Sequence, residues 1–266
     1  MRIEINDKNN FISMFNQIYN NNKINIINGV SIDSRKIEPN DIFIPIKGDF
    51  FDGHNFINDV LKINGTTCFD QKTNIINKRI IKTESNRKVL IKLASLWREK
   101  IKSRIIAITG SNGKTTTKEL LHHIMKNKFD CSKSVGNHNS TIGLPLTFLN
   151  CKIDDKYAIL ELGANRNGEI KMLCKAIKPD FSLITNISNA HIENFASLSD
   201  IIKSKSEIFS YLNHDGTAFI NLNDKAIANI PINNNRITFG INNKKANYNG
   251  ILLKNYTIRI NDFDFK

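Results

Sequence analysis

Glycine, lysine and threonine fall together at Gly110-Ser111-Asn112-Gly113-Lys114-Thr115. These are the residue types that hold a phosphate chain. Backbone N–H groups of a glycine-containing turn bind anionic oxygens, and a following helix adds the positive end of its dipole. A lysine in such a turn reaches the outer phosphates, and a threonine hydroxyl sits on Mg²⁺. The spacing departs from the common phosphate loop, which has a glycine five residues before the second one. Ile108 stands at that position and the first glycine is Gly110, so this turn is shorter. Two further residues fall where they could join it. Glu161 closes the apolar run from Tyr157, as a Mg²⁺-holding carboxylate or as a helix-cap or surface acid. His191 follows the run Phe181 to Ile187, as a site residue or as a hydrogen-bonded loop histidine.

Positioning these groups requires a strand before the turn and a helix after it. The run Ile105-Ile106-Ala107-Ile108 is β-branched and bounded by a glycine, as in a buried parallel strand. Leu120, Leu121, Ile124 and Met125 repeat with helical spacing and predict an apolar helix face. Downstream the pattern alternates. Strands are predicted over 129–132, 157–161, 181–187, 217–221 and 236–239, and helices over 169–177 and 199–212. Such alternation predicts a parallel sheet with helices on its faces, and ligands of such sheets gather at the carboxyl ends of the strands. Tyr256, Ile258 and Ile260 alternate as a hairpin or edge strand. His122-His123, near a helix end, is given no role.

Residues 1–84 predict a smaller α/β domain, divided from residues 85–266 at the polar joint Thr83–Asn86. Phe11, Met14, Phe15 and Ile18 mark a helix face. Ile24, Ile26 and Ile27 lead through Asn28-Gly29 to Val30 and Ile32, which predicts a hairpin. Ile42 to Ile46 reads as a strand, edge-like because of Pro45. The loops holding Ser34-Arg35 and Lys47 to Asn55 read as turn chemistry, or as a diphosphate site if the cations face a ligand. Beyond the joint, Val89, Leu90, Leu93, Leu96 and Trp97 form a helix face, with Trp97 as packing.

Composition narrows the classes. The 266 residues are 40% hydrophobic and 24% charged, enough for a real core. No apolar run would span a bilayer and the first residues lack a signal-peptide core, so the expected compartment is the cytosol with no membrane insertion. Cys68, Cys131, Cys151 and Cys174 show neither metal spacing nor a disulfide framework. The net charge of +13 raises nucleic acid as a partner, but the lysines are scattered without interleaved aromatics, so none is expected. A basic surface also suits anionic substrates.

The motifs together resemble a known family. Gly110-Ser111-Asn112-Gly113-Lys114-Thr115-Thr116 is similar to the ATP loop of the Mur ligases, which build the bacterial peptidoglycan precursor. Gly136-Asn137-His138-Asn139 through Gly143-Leu144-Pro145, Glu161-Leu162-Gly163-Ala164-Asn165 and Ala190-His191 through Lys205-Ser206-Glu207-Ile208-Phe209 resemble the branch that joins D-alanyl-D-alanine to UDP-N-acetylmuramoyl-tripeptide. Asp33-Ser34-Arg35 and Lys47-Gly48 through Asp52-Gly53-His54 resemble its nucleotide-sugar domain.

The resemblance implies a small nucleotide-sugar domain followed by a phosphate-loop, mostly parallel sheet. It implies ATP bound at Gly110 to Thr116 with Asn186 nearby, and Mg²⁺ on Thr115 and Glu161. A second Mg²⁺ would be served by His191 and Lys205, with Lys205 carrying a carbamate made from CO₂. A neutral lysine amine can attack CO₂, and the product is an anionic oxygen ligand, which an ammonium cannot be. Lys114, Lys205 and His191 would be the catalytic side chains. Ser34, Arg35, Lys47, Asp52 and His54 would meet the UDP-sugar, and Asn137, Asn139 and Thr141 the sugar-peptide. Members of the family continue past the point matching Lys266, so the central domain is expected to be incomplete, the carboxy-terminal ligase domain absent and the chain alone inactive, with a missing half as a possible partner. The alternatives are a non-catalytic nucleotide- or UDP-sugar-binding remnant, the sister ligase that adds the third peptide residue, a folylpolyglutamate synthetase relative and an unrelated phosphate-loop kinase.

Overall fold

The computed structural model describes residues 1–19, 24–70, 75–188, 195–253 and 258–265. They form two compact units, residues 1–102 with 141–154, and residues 103–140 with 155–266. This division differs from a boundary at residue 84, because the helix that follows packs with the amino-terminal unit.

In the first unit, β1 (Arg2–Glu4), α1 (Lys8–Ile18), β2 (Gly29–Ser31), β3 (Ile42–Phe43), α2 (Ile57–Lys62), β4 (Thr66–Phe69), β5 (Ile80–Lys82) and α3 (Asn86–Lys100) follow in order. The sheet order is β1-β2-β3-β4-β5, antiparallel only between β1 and β2. Phe11, Met14 and Phe15 on α1 and Leu90, Leu93 and Trp97 on α3 are buried, and the two helices pack on each other. Trp97 is 1% exposed and its indole N–H donates to the Cys151 carbonyl at 3.2 Å, so it is packing as expected.

Two strand expectations are corrected. Asn28-Gly29 makes no hairpin; Gly29 opens β2, which pairs with the chain start through Ile3 and Val30. A Cβ on Gly29 would stand 2.5 Å from the Ile3 carbonyl oxygen, so the glycine serves close strand approach rather than a turn. β3 is interior, and Pro45 lies beyond its last residue, where no ladder hydrogen bond is needed.

The second unit opens with β6 (Arg104–Thr109), α4 (Lys114–Met125) and β7 (Cys131–Lys133). After α5 (Gly143–Phe148), which belongs to the first unit, come β8 (Tyr157–Glu161), α6 (Glu169–Ile177), β9 (Phe181–Ile184) and α7 (Leu198–Ser210). The order then runs β10 (Thr217–Asn221), α8 (Lys225–Ala228), β11 (Asn235–Ile241), β12 (Tyr248–Leu252), β13 (Ile258–Ile260) and β14 (Phe263–Phe265). The sheet order is β14-β13-β12-β11-β10-β9-β6-β8-β7. It is parallel from β7 to β12, with β13 and β14 added antiparallel as an edge hairpin. Tyr256 lies outside the described residues.

After β6 the chain lays β7 and β8 on one side and β9 onward on the other. The carboxyl end of β6 is therefore a topological switch point, where open α/β sheets take their ligands. The core strands are apolar on both faces: Ile105, Ala107, Ile108, Ala158, Ile159 and Leu160 are all fully buried. Helix α4 departs from its predicted apolar face. Its one buried residue is Lys118, while Leu120 and Ile124 are 59% and 66% exposed. No disulfide forms among the described residues, and Cys68, Cys151 and Cys174 are buried. No helix among the described residues is long and apolar enough to cross a membrane.

Candidate functional site

The turn from β6 into α4 is fixed by two glycines with different tasks. Gly110 has φ +152°, and a Cβ there would overlap the Thr185 hydroxyl and lie 3.1 Å from both Cβ and N of that residue. Gly113 has φ +77° with nothing within 4 Å of its missing Cβ, so only its backbone conformation demands glycine. Gly113 is the N-cap of α4, and no side chain caps that helix. Asp7, Ser85 and Ser197 do cap α1, α3 and α7. The first-turn N–H groups of Lys114, Thr115 and Thr116 have no intrahelical partner by geometry, which leaves them to an anion.

Asn186 pins the tip of the turn. Its side-chain oxygen accepts from the Asn112 N–H at 3.1 Å, its amide donates to the Asn112 carbonyl at 3.0 Å, and its own carbonyl accepts from the Ser111 N–H at 2.9 Å. Thr185 donates to the same Asn112 carbonyl at 2.6 Å, and the Ser111 hydroxyl exchanges hydrogen bonds with the Ser188 backbone. Thr185 and Ser188 carried no sequence signal. The turn that follows β9 is thus a brace for the turn that follows β6. The Lys114 ammonium donates to the carbonyls of Gly110 and Ser111 at 2.8 and 3.0 Å. Burial holds it below the ordinary lysine value, and Glu161 pulls the other way.

Glu161 ends β8 and is 2% exposed, which removes the surface-acid reading. Its carboxylate accepts from the Thr115 hydroxyl at 2.8 Å and from the Asn139 amide at 2.7 Å, and its backbone N–H donates to the Ser134 hydroxyl at 3.1 Å. Thr115 and Glu161 therefore converge. A hydroxyl and a carboxylate form a hard-oxygen pair suited to Mg²⁺, which needs no all-protein cage beside phosphate ligands. Among the described residues no three His, Cys, Asp or Glu side chains gather into a metal cage. The Asn139 amide donates to Glu161, and Asn137 is exposed on the same loop. Thr141 begins the segment grouped with the first unit.

Lys205, on α7, is 6% exposed, and no hydrogen bond meets its ammonium among the described residues. Burial, reinforced by the charge of Lys114, brings it down to about 8. His191 lies outside the described residues.

In the first unit the predicted sugar-binding residues fall beyond the carboxyl ends of β2 and β3. Ser34 and Arg35 form a single 3₁₀ turn capped by Asp33. Arg35 donates twice to Asp33 at 2.9 Å, which holds the Asp33 carboxyl well below the usual carboxylate range. Lys47 and Asp52 bridge a tight turn. His54, expected at the UDP-sugar, has its ring nitrogens on two carboxylates. The side chain is 6% exposed, with its nitrogens on Asp52 at 2.5 Å and Asp70 at 2.7 Å. It ties the turn to the loop after β4.

These features define a class: an α/β unit with a glycine turn, an uncapped helix start and a Thr115–Glu161 oxygen pair at a topological switch point, preceded by a separate α/β unit. Comparison with known proteins narrows it. Residues 108–261 match the Mur ligase middle domain and residues 26–98 match the Mur ligase family, catalytic domain. The chain belongs to the Mur ligase family. It is 37% identical over 242 residues to the UDP-N-acetylmuramoyl-tripeptide–D-alanyl-D-alanine ligase of Buchnera aphidicola subsp. Acyrthosiphon pisum, covering 90% of this chain and 53% of that protein. The Bacillus subtilis ligase of the same name is 36% identical over 194 residues, covering 72% of this chain and 42% of that one. A crystal structure of MurF from Acinetobacter baumannii superimposes with TM-score 0.83 at 26% identity, over 96% of this chain and 59% of that one. MurF from Thermotoga maritima in complex with ADP does so with TM-score 0.80 at 30% identity, over 89% and 56%. The chain thus spans about half the length of the curated relatives it matches.

Proposed function

We propose that this chain carries the nucleotide and UDP-sugar sites of an ATP-dependent ligase that joins D-alanyl-D-alanine to UDP-N-acetylmuramoyl-tripeptide. The observation that carries the reading is the meeting of Thr115 and Glu161 at 2.8 Å beside an uncapped helix start. ATP fits the turn Gly110 to Thr116, with Lys114 on its outer phosphates and Asn186 holding the tip. Mg²⁺ fits Thr115 and Glu161 and, when bound, supplies charge neutralisation at the phosphates. Lys205 fits a carbamate because its amine is buried and burial lowers the cost of losing its proton. His191 is its proposed partner at the second metal. Ser34, Arg35, Lys47 and Asp52 are proposed to meet the UDP-sugar, with His54 holding Asp52 in place, and Asn137, Asn139 and Thr141 the sugar-peptide.

The reaction needs no nucleophile from the protein. The substrate's peptide carboxylate attacks the γ-phosphorus of ATP, and ADP leaves with the bridging oxygen's electron pair. The D-alanyl-D-alanine amine then attacks the acyl carbon, loses a proton, and phosphate departs. Lys114 and neighbouring N–H groups offset the charge that builds on the transferred phosphoryl oxygens. The relatives are about twice as long, so residues 1–266 alone are expected to bind both nucleotides without measurable ligation. The test is product formation from UDP-N-acetylmuramoyl-tripeptide, Mg·ATP and D-alanyl-D-alanine, with and without the carboxy-terminal half of a matched relative. Dipeptide-dependent product in the supplemented reaction supports the reading. Failure of the chain to bind either nucleotide overturns it.

A further inference from the structure

Lys118 lies one helical turn beyond Lys114 on α4 and is completely buried. A buried ammonium is costly unless it is paired and hydrogen-bonded. Its surroundings show what it is paired with and what it holds. The Lys118 ammonium donates to the Gly136 carbonyl at 2.6 Å. It stands 3.3 Å from Glu119 and 3.7 Å from Glu161. Glu119 is itself tied to Lys133, which holds its carboxyl below the ordinary value. The short contact is therefore with the loop, whereas Thr115 takes the short hydrogen bond to Glu161. Gly136 opens the loop 136–139, whose residues Gly136, Asn137 and His138 are exposed and whose Asn139 returns to Glu161. Beyond its own turns, that loop is held at its start by the Lys118 ammonium and at its end by Asn139 and by the Gly163 N–H on the Asn139 carbonyl at 2.8 Å.

We propose that Lys118 is a positioning residue for the acceptor substrate: it fixes the loop 136–139 through the Gly136 carbonyl and acts on the sugar-peptide side, not on the phosphates or the metal. Lys114 already serves the cradle, whereas the shortest contact of the Lys118 ammonium is with the Gly136 carbonyl of the loop. The inference rests on the ligase reading, because it takes the loop as a substrate contact. Placing the ammonium on α4 also ties the element that starts at the phosphate turn to the element that would meet the acceptor.

The experiment is calorimetric titration of the full chain with UDP-N-acetylmuramoyl-tripeptide and, separately, with Mg·ATP, for the parent, Lys118→Met and Lys118→Arg. Lys118→Met is expected to weaken the UDP-sugar by fivefold or more and Mg·ATP by less than twofold. Lys118→Arg, which keeps a charged donor, is expected to recover most of the loss. A merely structural role would weaken both ligands together. If Lys118→Met does not fold, Lys118→Leu, uncharged and unable to donate, carries the same comparison. Unchanged UDP-sugar affinity, or a loss that falls mainly on Mg·ATP, overturns the inference while leaving the ligase reading intact. A parent chain that binds no UDP-sugar overturns both.

Discussion

Gly110→Ala is the perturbation whose cost the structure specifies most fully. The new Cβ would overlap the Thr185 hydroxyl, and rotating that side chain away does not clear the site, because Thr185 N remains 3.1 Å off. The hydroxyl would also lose its 2.6 Å hydrogen bond to the Asn112 carbonyl. An L-residue at φ +152° adds backbone strain. Strain of about 1–3 kcal/mol and a lost hydrogen bond of about 1 kcal/mol sum to roughly 2–4 kcal/mol. For a chain of this size that is a fall in melting temperature of roughly 4–16 °C. The control sits three residues away. At Gly113 no atom obstructs a Cβ, so Gly113→Ala should cost only the left-handed backbone term, about 1–2 kcal/mol. Scanning calorimetry of both variants measures the stabilities, and ATP titration measures the cradle, which Gly110→Ala should weaken by about tenfold or more, or about 1.4 kcal/mol. Equal melting temperatures and equal ATP affinities for the two variants would refute the reasoning, since the steric term would then be absent.

Glu161→Gln keeps the shape and removes the charge, so it should weaken Mg²⁺-dependent ATP binding by about tenfold, read by titration across Mg²⁺ concentrations; an unchanged Mg²⁺ dependence contradicts the metal assignment. Lys205 titrates near 8 in the folded chain against 10.5 ordinarily, so between those values the unfolded chain holds more protons and stability rises with pH. Lys205→Met should flatten that rise, by at most about 3 kcal/mol, in urea melts at successive pH values. The same amine should take up ¹³C-labelled CO₂ as a carbamate signal that Lys205→Met lacks. Asp41 is fully buried and receives Arg2 through two hydrogen bonds at 2.7 and 3.0 Å. Asp41→Ala should therefore destabilise the first unit by about 3–5 kcal/mol in denaturant melts, and a change under 1 kcal/mol would contradict the pairing.

What the sequence revealed was local. The strand, the glycine turn, Lys114 and Thr115 lie within a dozen consecutive residues, and Glu161 was legible because a charge ends an apolar strand. What it hid depends on contacts made across the chain. Asn28-Gly29 has the composition of a hairpin turn, yet the partner of β2 is the chain start, which no local pattern names. Pro45 marks an edge only if it lies within the ladder, and it lies past it. Helix α4 is the sharpest case. The spacing of Leu120 and Ile124 predicts burial, but the buried residue is Lys118, because its partners Gly136 and Glu161 come from elsewhere in the unit. The family resemblance places His54 at the UDP-sugar, and its ring partner Asp70, sixteen residues on, is named by no local pattern. Thr185, Asn186 and Ser188 brace the cradle from a different strand end, and of these the family resemblance names only Asn186, as a neighbour of the nucleotide.

The proposed division of UDP-sugar and ATP between Arg35 and Lys114 is tested by one crossed titration. The parent, Arg35→Ala and Lys114→Ala are each titrated with UDP-N-acetylmuramoyl-tripeptide and with Mg·ATP. Arg35→Ala is expected to weaken the UDP-sugar and spare ATP, and Lys114→Ala to weaken ATP and spare the UDP-sugar. Reversed effects, or a parent chain that binds neither ligand, would contradict that division.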